Sequence, residues 1–439
     1  MRFLKKIFSP FCLTLSVLLF VFIFYRSEIH WGGTIKEYYF IYYIISSFFI
    51  FFSVITFFIN DRIKTYLIVI SISLIFTLYV FEGYLSYYLK SDHQLSKKIK
   101  IYKQNTGNDY DLRSIKQIYK DLKKIDPNTV VKVSPGEYLR YENIELFPLS
   151  GISNAKTIYQ NENGYYMIYK SDRYGFNNPD KEWDEKEIEF FLVGDSFAHG
   201  AAVNRPDDIA SVLRELSRKP VISVGYSGNG PLIEFGSLIE FLYNNKNLKA
   251  KKILWLFTDN DIQGLKYELK SKLLKNYIYE KNFLQNLIFK QDQSDKLATK
   301  EIVSAEKLEK KFFLIKFIKF YEIRNKLFPK KQNNKLVIPK EFKEILERVK
   351  NIALKENSKL YFVYMPSPAM YFDPSYNNNI RKEVIKIIND LKLNLIDIHT
   401  LVSENEKNIK KLYPFEMHSH YNVKGYKKVA EAIFKSTFD

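Results

Sequence analysis

The chain has a single cysteine, and this scarcity excludes several kinds of site. Among its 439 residues only Cys12 carries a thiol, and it lies within an apolar run. One cysteine cannot form an internal disulfide or a thiolate zinc cluster, and a thiol in that setting is a poor nucleophile. Histidines are also few, so any histidine base must be one of the following six residues: His30, His93, His199, His399, His418 and His420.

Acidic residues are in the minority, with 49 Asp and Glu against 67 Lys and Arg and a formal net charge of +18. Such a balance favours an anionic partner, either lipid headgroups or an acidic polymer. No RNA- or DNA-binding signature accompanies the charge, so we do not expect a nucleic-acid partner. The aromatic content of 16% is concentrated near the N-terminus, which is typical of interfacial belts in membrane proteins.

Three apolar stretches open the chain, at residues 7–25, 38–60 and 65–89. Each has the roughly 20 residues that a helix needs to cross about 30 Å of hydrocarbon. One such run alone would also suit a buried core helix, and the first alone would suit a signal peptide. No small-residue cleavage site follows Tyr25, however, so residues 1–90 are predicted to be an uncleaved three-helix anchor.

Basic residues flank the predicted helices and indicate their orientation: Arg2, Lys5 and Lys6 before the first, Arg62 and Lys64 between the second and third. Cytoplasmic loops are enriched in such residues, although Arg26 and Lys36 lie in the opposite loop. An odd number of crossings then places everything after about residue 90 outside the cytoplasm. We therefore expect a multi-pass protein of a bacterial cytoplasmic membrane, with either a periplasmic or a surface-exposed C-terminal domain.

The remainder divides into a polar, irregular membrane-proximal lead-in at 91–185 and an α/β domain at 186–439. In that domain, short apolar runs predict buried strands: 188–193, 221–224, 253–257, 360–365 and 393–398. Segments with helical spacing alternate with them: 209–216, 232–243, 342–354 and 380–391. This alternation predicts a three-layer fold with a parallel sheet, whose active site would lie at the carboxyl ends of the strands.

A long helical and basic stretch at about 265–340 interrupts this alternation and predicts an insertion or cap. From 251 to 350 the chain has 24 Lys and Arg against 13 acids. One interpretation is a solvated face whose apolar side packs on the core through Phe312, Phe313, Ile315, Phe317 and Ile318. The other is docking on anionic lipid or on an acidic glycan.

The octet at 190–197, Phe-Phe-Leu-Val-Gly-Asp-Ser-Phe, is a buried strand followed by a Gly and then by Ser196 where a helix should begin. A serine there has backbone N–H donors and the positive end of a helix beside its hydroxyl, as a nucleophile that forms an oxyanion requires. Alternatively, Ser196 or Asp195 merely caps the helix.

Two further predicted strands end in turns whose residues are suited to a role in catalysis. The first leads into Gly225-Tyr226-Ser227-Gly228-Asn229-Gly230-Pro231, which is neither a Gly-x-Ser-x-Gly elbow nor a dinucleotide fingerprint, so no cofactor is expected. The second leads into Thr258-Asp259-Asn260-Asp261. Asn260 is suited either to donate to an oxyanion or to close the turn.

Near the C-terminus, His420 lies shortly before a helical run at 427–433, in a position suited to a general base. His418 and His420 also resemble a pair of metal ligands, but no third ligand cluster accompanies them, so no metal site is predicted.

These four blocks, in this order, resemble those of the SGNH hydrolases, also called the GDSL esterase and lipase superfamily, over residues 186–439. A further likeness to bacterial envelope-associated members lies at Asp172-Arg173-Tyr174-Gly175-Phe176-Asn177-Asn178-Pro179. The resemblance implies that Ser196 is the nucleophile and His420 the base. It also implies an oxyanion hole formed by the N–H groups of Ser196 and Gly228 and the side chain of Asn260.

Two positions depart from the family pattern. The third block usually reads Gly-x-Asn-Asp, and Thr258 replaces its Gly. The family places an acid two or three residues before the His, where this chain has His418 and Met417. Glu416 is the nearest carboxylate, one residue too far, and Asp397 or Asp261 would have to be brought close by the fold; a Ser-His dyad is the remaining option.

The resemblance and the anchor together predict an acyl-ester hydrolase or O-acyltransferase acting on acetyl groups of a cell-envelope glycan. A transferase would need a membrane partner that supplies acyl groups. The alternative is a degenerate SGNH fold that binds a glycan or a partner protein, and the missing acid is the main argument for it.

Overall fold

A computed structural model describes residues 2–30, 32–33, 36–88, 93–327 and 337–438. The chain divides into two compact units. The first contains Met1–Ser91 together with Lys311–Lys331, and the second contains Asp92–Lys310 together with Gln332–Asp439.

The first unit contains three apolar helices: α1 (Arg2–Phe24), α2 (Lys36–Ile55) and α3 (Asp61–Tyr88). A π-helical turn at Tyr25–His30 continues α1, and the three helices are long and apolar enough to cross a membrane. The three predicted apolar helices are therefore confirmed, although α2 ends at Ile55 rather than at residue 60, and Leu89 lies outside the described residues.

Small polar side chains join α1 to the end of α2. The Ser9 hydroxyl donates to the carbonyl of Thr56 at 2.9 Å, and the Ser16 and Ser53 hydroxyls lie 2.9 Å apart. Small residues allow close helix approach, and such hydrogen bonds hold helices together where lipid offers no competing partner.

The second unit begins with two helices and three short strands. These elements are α4 (His93–Thr106), α5 (Ile115–Ile125), β1 (Thr129–Val131), β2 (Lys156–Asn161) and β3 (Tyr166–Lys170). The strands form a sheet in the order β1-β2-β3, with β2 parallel to β1 and antiparallel to β3. The expectation of an irregular lead-in was wrong, since these residues form two helices and a paired three-stranded sheet.

The α/β part of this unit follows the predicted alternation. Its first elements are β4 (Glu187–Gly194), α6 (Ser196–His199), α7 (Ile209–Ser217), β5 (Val221–Ser223), α8 (Pro231–Leu238), β6 (Lys249–Phe257), α9 (Asp261–Glu268) and α10 (Lys272–Tyr279). They continue with α11 (Gln291–Ile318), α12 (Tyr321–Leu327), α13 (Lys340–Lys355), β7 (Lys359–Tyr364), α14 (Ala369–Phe372), α15 (Asn379–Asp390), β8 (Asn394–Asp397) and α16 (Val423–Phe438). Short 3₁₀ or π turns occur at Pro135–Arg140, Asp180–Asp184, Ile239–Tyr243, Leu287–Phe289, His399–Ser403, Ile409–Leu412 and Pro414–Glu416.

The five strands β4 to β8 form one parallel sheet in the order β5-β4-β6-β7-β8. Successive side chains of a strand point to opposite faces. In β4, Phe190 and Leu192 therefore pack into one core cluster, and Phe191 and Val193 pack into another. Both faces are covered, so the predicted three-layer α/β architecture is confirmed and the carboxyl ends of the strands share one edge.

The basic stretch at 265–340 does not form one continuous cap. Its last part, Lys311–Lys331, belongs to the unit with the three apolar helices. The expected packing on the α/β core is wrong for Ile318, which is 53% exposed, and for Phe317, whose ring lies 5.5 Å from that of Tyr79 in α3. The side chains of Phe312 and Phe313 lie outside the described part of the structure.

Candidate active site

Ser196 lies directly after β4, at the first position of α6. Gly194 makes the turn with a φ of 155°, and a Cβ at that position would lie 2.7 Å from the carbonyl oxygen of Leu256. Asp195 caps the helix by accepting a hydrogen bond from the Phe197 N–H at 2.9 Å. Because Asp195 performs the capping, the Ser196 hydroxyl remains available for chemistry.

His420 lies beside Ser196, although 224 residues separate them. Its Nε2 is 2.8 Å from the Ser196 Oγ, and its ring lies 5.1 Å from that of Phe197. His420 precedes α16, as the sequence predicted, and this helix packs against α7. The structure therefore brings the predicted nucleophile and the predicted base into hydrogen-bond contact.

The carboxylate beside His420 is that of Glu162. The Nδ1 of His420 lies 2.9 Å and 3.0 Å from the two carboxylate oxygens of Glu162, and the His420 backbone N–H donates to one of them at 3.0 Å. The Ser419 hydroxyl donates to the same carboxylate. Ser196, His420 and Glu162 thus form a continuous hydrogen-bonded line, which is the geometry of a serine triad.

The three carboxylates considered from the sequence do not take this position. Glu416 is exposed on a 3₁₀ turn with a φ of 55°. Asp397 pairs with Arg381, and Asp261 accepts the Thr258 N–H at 2.7 Å. The prediction that Glu416 is the orienting acid was therefore wrong, because the Nδ1 of His420 faces Glu162 in the β2-β3 hairpin.

A tight hairpin loop holds Glu162 in place. The Asn161 side chain accepts the Gly164 N–H at 2.8 Å and donates to the carbonyl of Asp111 at 2.9 Å. The Asn163 side chain donates to the carbonyl of Ala202, just beyond α6, at 2.6 Å. These bonds tie the loop both to the lead-in and to the segment that follows the serine.

The two ionisable partners of the triad shift each other's pKa in opposite directions. Burial alone raises the pKa of Glu162, but the hydrogen bond and charge of His420 outweigh it and lower that pKa to about 2. Burial alone lowers the pKa of His420, but its hydrogen bond and Coulomb attraction to Glu162 outweigh this effect and raise it above 6.5. Glu162 is thus an anion at neutral pH and stabilises an imidazolium.

The two predicted oxyanion donors occupy different surroundings. Asn260 follows β6, is exposed, and hydrogen-bonds with Thr258 and Asp195 through its side chain. Gly228 lies on the turn after β5 with a φ of 87° and is also exposed. Asn260 lines the same cavity as Ser196, whereas Gly228 is not among the residues that line it.

This active-site cavity has a volume of about 550 Å³. Its lining contains the triad and residues from α4, the lead-in and three loops of the α/β fold: Lys98, Asn161, Glu162, Asp195, Ser196, Phe197, Asn260, Ser367, Pro368, Pro414, Phe415, Met417, His418, Ser419 and His420. A cavity of this size is typical of a small-molecule site, and ten of its fifteen lining residues are polar or charged.

The turn that carries Gly228 rests on buried side chains of the lead-in and of α6. The Ser227 N–H donates to the Nδ1 of His199 at 3.3 Å, and the Ser227 hydroxyl lies 2.5 Å from that of Tyr159 in β2. Burial, followed by the positive charges of Lys132 and His420, holds the pKa of His199 well below 6.5. A neutral His199 can accept the Ser227 N–H, so β2 and α6 together position the turn.

The block at 172–179 has a structural role. The fully buried Asp172 carboxylate accepts the N–H groups of Tyr174 and Phe176, both at 2.9 Å. The Asn178 side chain pairs with the N–H and carbonyl of Ser223, both at 2.9 Å. The block therefore folds into a loop that closes the edge strand β5 and leads into β4.

Sequence reasoning did not identify Glu162, Tyr159 or Lys132. The turn residues Asn161, Asn163 and Gly164 predict a hairpin, but nothing in them indicates that the hairpin reaches His420. Lys132 follows β1; its ammonium donates to the Ser134 hydroxyl at 2.6 Å and lies 4.4 Å from the Tyr159 ring centroid. Burial lowers the pKa of Lys132 to about 8.

No protein-family model matches the chain, and no curated protein matches it. Among solved structures, the chain is similar to a lipolytic protein of the G-D-S-L family from Desulfitobacterium hafniense, with 12% identity, coverage of 57% of this chain and 99% of the other, and a TM-score of 0.33. It is also similar to a lipase/acylhydrolase from Enterococcus faecalis (14% identity, 57% and 94% coverage, TM-score 0.32). A catalytic mutant of an acetylxylan esterase from Geobacillus stearothermophilus matches at 12% identity, 57% and 94% coverage and a TM-score of 0.32.

Proposed function

We propose that this protein is a membrane-anchored serine acyl-ester hydrolase or O-acyltransferase that acts on O-acetyl groups of a cell-envelope glycan outside the cytoplasm. The observation that carries the proposal is the continuous hydrogen-bonded line from Ser196 through His420 to Glu162. A serine whose hydroxyl contacts a histidine, which in turn is oriented by a carboxylate, is equipped for acyl transfer.

The first half-reaction follows from this geometry. The Ser196 Oγ attacks the ester carbonyl while the Nε2 of His420 takes its proton, and Glu162 stabilises the resulting imidazolium. The Ser196 N–H and the Asn260 amide, which both line the cavity, donate to the oxyanion, and the predicted donor Gly228, which does not line it, is left out of this step. Collapse of the tetrahedral intermediate expels the alcohol, which receives the proton from His420, and leaves an acyl group on Ser196.

The second half-reaction decides between the two activities. If water attacks the acyl group, with His420 again as base, the products are a carboxylic acid and free enzyme. If a sugar hydroxyl attacks, the acyl group is transferred and the protein is an O-acyltransferase, which would need a membrane partner that supplies acyl groups. The cavity of about 550 Å³ has room for an acetyl ester together with part of a sugar ring.

The proposed location at a membrane, with the second unit outside the cytoplasm, rests on the three apolar helices and on the basic residues that flank them. The helices α1, α2 and α3 are long and apolar enough to span a membrane. The basic residues before α1 and between α2 and α3 favour the cytoplasm for those ends, and this supports our proposal that the second unit is extracytoplasmic. An envelope glycan is the substrate class that such a location offers.

The alternative, a degenerate fold that only binds a glycan or a partner, depended on the missing acid. Glu162 occupies the position that this acid would need. No observation on the described residues therefore favours the alternative over catalysis.

The test uses the full-length protein in lipid nanodiscs, a fluorophosphonate probe and a chromogenic acetyl ester. We expect labelling and ester cleavage in the wild type, loss of both in Ser196→Ala, and retention of both in Ser375→Ala, an exposed serine outside the cavity. Folded wild-type protein that neither labels nor cleaves esters, with or without acetylated glycan, would refute catalysis. Adding a glycan acceptor and assaying acetate against acetylated acceptor separates the hydrolase from the transferase.

A further inference from the structure

The last part of the basic stretch packs against α3 rather than against the α/β sheet. The Tyr79 ring in α3 lies 4.4 Å from that of Phe320 and 5.5 Å from that of Phe317. The Tyr79 hydroxyl also donates to the carbonyl of Ile318 at 3.3 Å. One face of residues 314–327 is therefore held along the side of an apolar helix.

A buried carboxylate fixes this contact. Glu82 in α3 is fully buried and accepts the backbone N–H groups of Glu322 at 2.9 Å and Ile323 at 3.0 Å. A carboxylate within an apolar helix is costly to bury unless its oxygens receive hydrogen bonds. Glu82 thus has its partners in the start of α12 and sets the position of α12 along α3.

The helix rise gives the depth of this contact. Tyr79 and Glu82 lie nine and six residues before Tyr88, which corresponds to about 14 Å and 9 Å from the end of α3. The 28 residues of α3 span about 42 Å, so a hydrocarbon layer of about 30 Å centred on it leaves about 6 Å outside at each end. Glu82 then lies about 3 Å, and Tyr79 about 8 Å, inside the hydrocarbon boundary.

Three other apolar side chains of the same segment are uncovered. Leu314 is 57% exposed, Ile318 53% and Leu327 67%. Basic side chains flank these residues, at Lys316, Lys319, Arg324 and Lys326. Apolar side chains next to lysines and arginines, at the depth of a membrane interface, match lipid acyl chains below and anionic headgroups above.

We propose that residues 314–327 form a fourth membrane-embedded segment, a short interfacial hairpin whose Leu314, Ile318 and Leu327 contact lipid acyl chains. The inference rests on the proposed membrane anchor, because α3 sets the depth of the hairpin. The two units alternate along the chain, with boundaries after Ser91, Lys310 and Lys331. The second unit is therefore connected to its anchor by three chain segments instead of one.

The test places a spin label in full-length protein reconstituted in phosphatidylethanolamine and phosphatidylglycerol vesicles. Cys12→Ser removes the one native thiol, and Leu314→Cys and Ile318→Cys provide the test sites. Phe76→Cys, 69% exposed on α3, is the lipid reference, and Leu354→Cys, 68% exposed on α13, is the matched leucine control in the second unit. The measurement compares the accessibility of each label to oxygen, which concentrates in lipid, and to a water-soluble nickel complex.

We expect labels at 314, 318 and 76 to be more accessible to oxygen than to nickel, and the label at 354 to show the reverse. An aqueous result at 314 and 318 with a lipid result at 76 would overturn the hairpin while leaving the anchor intact. An aqueous result at 76 would overturn the anchor, and the hairpin with it.

A second measurement examines the role of Glu82. Glu82→Ala removes both hydrogen-bond acceptors, so the label at 318 should become more mobile and give a sharper spectrum, while the label at 76 should not change. Glu82→Gln keeps one acceptor oxygen but turns an NH2 donor towards the second N–H, so the spectrum at 318 should lie between those of the wild type and Glu82→Ala. An unchanged spectrum at 318 in Glu82→Ala would contradict the contact between Glu82 and α12.

Discussion

Glu162 and His420 are 258 residues apart in the chain, yet the Nδ1 of His420 lies 2.9 Å and 3.0 Å from the two oxygens of the Glu162 carboxylate. The acid therefore comes from a β-hairpin that precedes the α/β sheet instead of from the loop that carries the histidine. The three-stranded lead-in sheet is thereby part of the candidate active site, because without it His420 would have no carboxylate on its Nδ1 side.

Glu162→Gln should lower kcat for acetyl-ester cleavage by about 10² to 10⁴-fold, because a glutamine neither stabilises the imidazolium nor fixes the productive tautomer. Steady-state kinetics with a chromogenic acetyl ester measures this effect. Glu416→Gln, which alters an exposed carboxylate, should leave kcat unchanged. Equal losses in the two variants, or a loss only in Glu416→Gln, would contradict the assignment.

The pH profile of kcat/KM should report the raised pKa of His420. Activity requires neutral His420, so kcat/KM should rise with pH through a midpoint above 6.5. Removing the Glu162 charge in Glu162→Gln leaves the burial effect opposed only by the charge of Asp195, so the midpoint should move to lower pH while the plateau falls. A midpoint that stays the same in this variant would show that Glu162 does not interact with His420 in solution.

The hairpin loop should be sensitive to substitutions that displace Glu162 without removing it. A Cβ at Gly164, whose φ is 94°, would lie 2.4 Å from the Tyr102 ring. Gly164→Ala should therefore shift the loop and lower kcat with little change in KM.

Gly107→Ala provides the control for Gly164→Ala, because Gly107 also has a positive φ, 73°, but no atom within 4 Å of its added Cβ. It should lose a little stability and keep its kcat. A fall in kcat of the same size in both variants would point to a general loss of fold, which thermal unfolding would reveal.

Lys132→Met should stabilise the protein near pH 7. The folded pKa of Lys132 is lowered to about 8 against an ordinary value of 10.5, so the folded state binds its proton less tightly than the unfolded state does. The buried ammonium thus costs stability below pH 8, and this cost disappears as the pH rises from 8 to 10.5.

Chemical denaturation across this pH range measures the effect. The stability gap between Lys132→Met and wild type should be largest near pH 7 and should narrow towards pH 10.5. Lys116→Met, at an exposed lysine of α5, should show no such dependence. A gap that is constant with pH would indicate that Lys132 is not buried as a cation.

The sequence by itself determined the three apolar helices, the parallel strands β4 to β8, and the candidate nucleophile and base. Apolar runs long enough to cross a membrane predicted α1 to α3, and alternating short runs predicted the strands β4 to β8, because hydrophobic length and periodicity are local properties. Ser196 and His420 could be identified because each stands next to an element boundary, where the turn residues reveal a sheet edge or a helix start.

Only the tertiary structure decided which carboxylate orients His420 and which surface Lys311–Lys331 packs against. The Glu162 hairpin reaches the site because the lead-in sheet packs beside the carboxyl ends of the parallel strands, and such a contact between distant segments leaves no periodic signal in the chain. Glu82 contacts the backbone N–H groups of Glu322 and Ile323. Every non-proline residue has such a group, so no residue pattern predicts this contact.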